Sequence, residues 1–125
     1  MELQQRSDQA PILTADLQCL RLYPYADWCD IEKLIVSEAA LLDPDVQDVA
    51  RLKISGAVEA PVDAQGRILV PQYLREHARI DRDVILAGVG RTVEIWDAQR
   101  FKENMEQTQM NFRALSQGLA QKLRS

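Results

Sequence analysis

Two short stretches of the chain alternate strictly between apolar and polar positions. "CLRLY" (19–23) and "TVEIW" (92–96) each read as a half-buried strand, with Leu20, Leu22, Val93 and Ile95 on one face and Arg21 and Glu94 on the other. They belong to a longer self-similarity: "ILTADLQCLRLYPYADW" (12–28) lies on "ILAGVGRTVEIWDAQRF" (85–101) at a constant offset of 73 with no gap. Ile12 and Leu13 fall on Ile85 and Leu86, Tyr23 on Trp96, and Trp28 on Phe101. Two copies of one unit, each a short strand, a turn, an alternating strand and a helix start, is the economical reading.

Between the copies, "LLDPDVQDVARLKISG" predicts a helix with Asp43 at the N-cap and Pro44 in the first turn, where a missing N–H costs nothing. Val46, Val49, Ala50 and Lys53 share one stripe of it, the lysine at the margin. After Gly56, "AVEAPVDAQGRILVP" predicts a hairpin: a strand, a turn with Asp63 first and Gly66 fourth, and a second strand that Pro71 stops while opening the helix "PQYLREHA". From Phe101 onward, Met105, Phe112, Leu115, Leu119 and Leu123 form one apolar stripe, which predicts a long helix packed on the body or on a neighbour. By the same offset Met1 corresponds to Leu74, so equivalents of Ser55–Tyr73, about nineteen residues, have no counterpart and the first copy reads as incomplete. The expectation is that "PILTA" and "CLRLYP" lose pairing partners and leave an open edge.

Composition narrows the function. A chain of 125 residues with 46% hydrophobic content can build an ordinary core, and the polar start "MELQQRSDQA" has neither signal-peptide character nor an apolar run of membrane-spanning length. The expectation is a cytoplasmic protein without a membrane partner. Cys19 and Cys29, with His77 the lone histidine and far from both in sequence, write neither a disulfide framework nor a zinc site; the thiols are expected reduced, and no metal or cofactor is expected. A net charge of −4 argues against indiscriminate nucleic-acid binding. Residues 51–82 are nonetheless mildly basic, with six Lys or Arg against four Asp or Glu, so any DNA contact must be local.

Arg67 is the residue that packing does not explain, since it leaves a tight turn at the mouth of an apolar strand. Two readings stand. In one, Asp63 accepts turn N–H groups, Gly66 takes a positive φ, and the rigid turn aims the arginine's planar fork at phosphate or at the O6/N7 edge of guanine. In the other, Arg67 forms a surface ion pair with Asp63 or Asp81 that is worth little. Arg75, Arg79 and Arg82 follow closely and are candidates for phosphate contacts, although charge-bearing helices are commonly just solvated. His77 reads as a surface or boundary histidine, Gly88 and Gly90 as a hairpin turn, and Trp28, Trp96 and Phe101 as core. No nucleophile motif or acid–base pair supports an enzyme.

The run "SGAVEAPVDAQGRILVPQYLREHARIDRDVILAGVGRTVEIWDAQRF" closely resembles the second repeat of the MraZ family of bacterial transcriptional regulators, through D-x-x-x-R at Asp63 to Arg67, "GRILVP", "LREHA", "LAGVG" and "EIW". Upstream, "CLRLYPYADW" and "LLDPDVQDVARLKISGAVE" resemble the end of the first repeat and its linking helix, so the likeness covers roughly residues 3 to 107. Each family repeat carries a D-x-x-x-R signature, and only the second is present here. The resemblance implies an α+β fold, an AbrB-like swapped-hairpin β-barrel built from two repeats with flanking helices. The divisions would be 1–42 (incomplete first repeat), 43–55 (linking helix), 56–104 (second repeat) and 105–125 (helical tail). It implies a nucleoid-associated, ring-shaped homo-oligomer that binds promoter direct repeats in double-stranded DNA upstream of the division and cell-wall gene cluster. Arg67, Asp63, Gly66, Arg75 and Arg79 would be the DNA-binding residues. The alternative of a different class is an assembly or protein-interaction module without useful DNA binding.

Overall fold

A computed structural model describes residues 9–37 and 42–124. Its strands are β1 (Ile12–Ala15), β2 (Leu20–Tyr23), β3 (Val58–Glu59), β4 (Val84–Val89) and β5 (Thr92–Asp97). The helices are α1 (Tyr25–Ile35), α2 (Pro44–Lys53), α3 (Gln72–Ala78), α4 (Ala98–Met110) and α5 (Phe112–Arg124). All strands join one antiparallel sheet in the order β3-β1-β2-β5-β4. The architecture is therefore mixed α+β.

The alternation read in the sequence sets the register at the sheet's centre. Leu20 pairs with Ile95, Arg21 with Glu94 and Leu22 with Val93, so four apolar side chains fall on one face and an ion pair on the other. The apolar face is the main core: Leu13, Ala15, Leu20, Leu22, Val93 and Ile95 pack with Ala60, Leu74 and Ala78, and half-buried Ile68 and Val70 lie against them. On the opposite face Ile12, Tyr23 and Trp28 form a second cluster with Ile31, Ile54 and Ala57. The Tyr23–Trp28 rings are 5.5 Å apart and the Trp96–Phe101 rings 5.7 Å, both pairs at the positions the 73-residue offset relates. The tryptophans are core, as their place in the pattern predicts.

Asp43 caps α2 by accepting from the Asp45 N–H, with Pro44 in the first turn. The helix lies over β1, where fully buried Thr14 donates its hydroxyl to the Lys53 carbonyl at 2.5 Å. Lys53 sits at the stripe's margin as expected, with Nζ 5.2 Å from the Tyr23 ring centre. Gly90 supplies the positive φ (62°) of the two-residue turn between β4 and β5, whereas Gly88 lies within β4.

Three expectations are corrected. The hairpin around Asp63 has no second strand: beyond the Asp63 N–H to Arg67 carbonyl bond (2.9 Å), the next ladder donor opposite Leu69 would be residue 61, and Pro61 has no N–H to give. The tail is two helices divided at Asn111, whose backbone leaves the helical region (φ −104°, ψ 9°) and whose side-chain amide donates to the Gln107 carbonyl at 3.1 Å alongside its own N–H; neither helix buries a residue. The open edge is not at β1 or β2, which are interior strands; the edges are the two-residue β3 and the six-residue β4. β4 carries no charge or proline, and its Leu86 is 65% exposed.

Candidate nucleic-acid interface

The turn from Asp63 to Arg67 is built around one carboxylate. Asp63 Oδ1 accepts from the backbone N–H groups of Gln65 (2.9 Å) and Arg67 (2.8 Å), and the Gly66 N–H closes the turn on the Asp63 carbonyl at 3.0 Å. Gly66 has φ of 81°, a backbone region that a side chain would strain. The Arg67 N–H leads in holding the Asp63 carboxyl below its ordinary range; slight desolvation opposes it, and the Arg67 guanidinium and the Gln65 N–H add to it. The turn is thus ordered by local bonds although it lies in solvent.

Arg67 leaves this turn with its side chain 72% exposed, and its Nε donates to Asp63 Oδ2 at 3.0 Å. The ion pair foreseen in the sequence is present, and Asp63 rather than Asp81 is the partner. At such exposure the pair contributes little stability. It does fix the guanidinium's inner edge, and among the described residues the two terminal amino groups make no hydrogen bond. A guanidinium held at Nε with its outer edge open presents parallel donors to a two-acceptor target.

The other candidates are distributed unevenly. Gly66, Arg75 and Arg82 line one groove of about 710 Å³ on the apolar face of the sheet, floored by Leu22, Val93 and Ile95 and flanked by Ile68, Val70 and Leu86. Arg79 is not among its lining residues. It occupies the left-handed C-cap of α3 (φ 55°), its N–H returning to the carbonyls of Arg75 and Glu76, a backbone role that its sequence position does not announce. His77 is half-buried, with Nε2 2.6 Å from the Asp16 carbonyl, and so ties α3 to the β1–β2 turn.

The strongest polar network was not foreseen. Arg21 bonds Asp16 Oδ2 through Nε (2.6 Å), Glu94 Oε2 through Nη2 (2.7 Å) and Thr92 Oγ1 through Nη1 (2.8 Å). Alternation placed Arg21 and Glu94 on the polar face, but only the pairing register brings them opposite each other. Ligand atoms of Asp16, Cys19 and Glu94 lie within 4.8 Å of one another. Arg21 already neutralises both carboxylates. Burial foremost, then the nearby Glu94 and Asp16 charges, push the Cys19 thiol up to about 12, so the trio offers no thiolate near neutral pH. Both cysteines are free thiols. No helix among the described residues is long and apolar enough to cross a membrane.

Fold and site together define a small α+β sheet protein that presents an arginine-bearing turn at a groove lined by Arg75 and Arg82. Residues 54–123 match the family profile described as "MraZ protein, putative antitoxin-like". A protein of Solidesulfovibrio magneticus called "Transcriptional regulator MraZ" is 44% identical over 98 residues, covering 78% of this chain and 64% of that protein. Relatives of the same name from Caldanaerobacter subterraneus (39% over 109 residues, 86% of this chain and 76% of the relative) and Syntrophomonas wolfei (41% over 101 residues, 81% and 70%) agree. The chain belongs to the MraZ family.

Proposed function

We propose that this chain is a sequence-specific DNA-binding transcriptional regulator in which Arg67 reads a base edge. The carrying observation is the geometry of Arg67: fixed at Nε by Asp63, rooted in a turn bonded internally, and open at its outer edge. The relatives' name, transcriptional regulator, supports the role, and a regulator rather than an enzyme accords with a chain whose clustered polar groups are consumed in ion pairs. Guanine, with O6 and N7 side by side in the major groove, is the base that such a fork fits. Arg75 and Arg82, which line the groove with Gly66, serve phosphates, and Arg79 at the C-cap of α3 adds a further cation. The target is promoter DNA with direct repeats, upstream of the division and cell-wall genes, met by a cytoplasmic, nucleoid-associated ring of identical subunits.

Two AbrB-like repeats with exchanged hairpins organise the chain in this reading, divided at 42, 55 and 104. The pairing of β2 with β5 supports it: positions related by the 73-residue offset exchange places across the ladder, about an axis through Arg21 and Glu94. Val58 and Glu59, from the second unit's hairpin, pair with β1 of the first, as an exchange requires. The equivalent place beside β4 is the one a first hairpin would fill.

An assembly module without useful DNA binding is the second reading, favoured by the exposed apolar edge of β4 and its groove. Titration of repeat-bearing and scrambled duplexes over a salt series separates the two. A regulator prefers the repeats and loses affinity linearly in log salt, and Arg67→Lys erases most of the preference while binding to scrambled DNA changes less. Equal, weak binding to both duplexes by the unaltered chain supports the module.

A further inference from the structure

The last helix is chemically unlike the rest of the chain. α5 carries Arg113, Lys122 and Arg124 and no acidic residue; the last carboxylate before it is Glu106. With a net charge of −4 for the whole chain, these three cations leave the remainder at −7. Phe112, Leu115, Leu119 and Leu123, spaced three, four and four, lie on one side of the helix, and each is more than half exposed. Lys122 borders this stripe on one side, Arg113 and Arg124 on the other. α5 packs chiefly on α4 and buries none of its own residues.

Another helix carries the complement. α2 turns Val46, Ala50 and Lys53 towards the body, and its outer sector gathers Asp45, Asp48, Val49 and Leu52 at successive helical neighbours. Val49 and Leu52 are at least half exposed, and Asp43 adds a third carboxylate at the same end; Arg51, the one cation on this outer side, is ion-paired with Asp48, which leaves the face net acidic. An apolar strip with acidic flanks faces solvent on one helix, and an apolar strip with basic flanks on another. Pairing α5 with a second α5 would bring six cations together without a carboxylate. The sheet groove is no better suited, since its rim holds Arg75 and Arg82 against Asp81 alone.

We infer that the occupant of α5 is a second copy of this chain: α5 of one subunit docks along the outer face of α2 of its neighbour. Phe112, Leu115 and Leu119 lie against Val49 and Leu52, and the flanking cations oppose Asp45 and Asp48. The contact is heterologous, using different surfaces on the two subunits, and so repeats head to tail until a ring closes. It deepens the self-assembly proposed above and rests on that part of the reading, not on DNA binding.

Sedimentation velocity of the full 125-residue chain over a concentration series tests it. One variant carries Arg113→Glu, Lys122→Glu and Arg124→Glu, a second Asp45→Lys and Asp48→Lys, and a third all five; far-UV circular dichroism confirms the fold of each, and a Leu115→Ser/Leu119→Ser variant tests the apolar strip without changing charge. The unaltered chain forms a discrete assembly, each one-sided reversal weakens it by roughly tenfold or more, the five-fold variant recovers most of the loss, and the serine variant dissociates. A monomeric unaltered chain overturns self-assembly itself. Assembly untouched by either reversal, or by the α2 reversal alone, overturns this interface while self-assembly stands. Capture of the unaltered chain by phosphatidylserine vesicles or by duplex DNA, lost in the α5 reversal while assembly persists, replaces the second copy with a lipid or phosphate surface. Arg67→Ala, distant from both helices in the sequence, leaves assembly unchanged whatever it does to DNA binding.

Discussion

Removing Arg21 should cost more stability than removing any other surface-facing charge described here. The guanidinium makes three side-chain hydrogen bonds, to Asp16 at 2.6 Å, Glu94 at 2.7 Å and Thr92 at 2.8 Å, and joins the β1–β2 turn to β5. Arg21, Asp16 and Glu94 are each about one-fifth exposed, so solvent only partly screens the pairs and cannot fully rehydrate the carboxylates left behind. A hydrogen bond to a charged group is worth about 1.5–3 kcal/mol, and discounting two such bonds and one to a neutral hydroxyl for partial exposure leaves a net loss of about 2–4 kcal/mol for Arg21→Ala. Urea unfolding followed by circular dichroism reads this as a lower midpoint at constant slope. A double-mutant cycle with Glu94→Ala should return a coupling of about 1–2 kcal/mol. A loss under about 1 kcal/mol with unchanged slope would refute the claim that this network ties the two strand pairs together, because such a value is ordinary for an exposed ion pair.

Two other outcomes follow from the titrating groups. Partial burial alone would raise the Asp16 carboxyl, but the Arg21 hydrogen bond and the Lys53 charge outweigh it, and the Asp81 N–H leads in lowering Asp97; both sit below their ordinary value. Groups whose folded pKa is depressed contribute stability that is present above the unfolded value and lost as pH falls through the folded one. The urea midpoint should therefore change little on their account from pH 7 to 5 and fall below about pH 4, less steeply in Asp16→Asn; a midpoint level down to pH 3 contradicts this. Iodoacetamide at pH 8 should label half-buried Cys29 and spare buried Cys19, whose thiol is pushed up to about 12, until urea unfolds the chain; equal native labelling in a mass spectrum contradicts that burial.

The parts of the fold that alternation and capping encode were legible in the sequence. The shared face of β2 and β5, the Asp43–Pro44 start of α2 and the Asp63–Gly66 turn all rest on local patterns of a few residues. What was not legible depends on contacts made elsewhere or on a single substituent. Pro61 removes the donor a second hairpin strand needed, although the apolar run "ILV" after Arg67 has the composition of one. Asn111 divides a stripe that continues on both sides of it, because periodicity records where apolar residues fall and not whether the backbone between them remains helical. The Arg21 network needs Asp16, Thr92 and Glu94 gathered from two hairpins, and Arg79's left-handed cap has no glycine to announce it. Of the candidate site, the Asp63–Arg67 bond was readable as one of two alternatives; the open outer edge of Arg67 was not, since it follows from the atom, Nε, that Asp63 takes.

The role proposed for the Asp63–Arg67 turn is to present Arg67 to DNA. Its most direct test is an equilibrium titration of Arg67→Ala against a repeat-bearing duplex at fixed salt, with circular dichroism and sedimentation to show that fold and assembly are kept. The expected loss is about 1–3 kcal/mol for each engaged subunit, compounding where several subunits engage one duplex. A titration superimposable on that of the unaltered chain, with fold and assembly intact, would contradict it and leave Arg67 as a surface partner of Asp63.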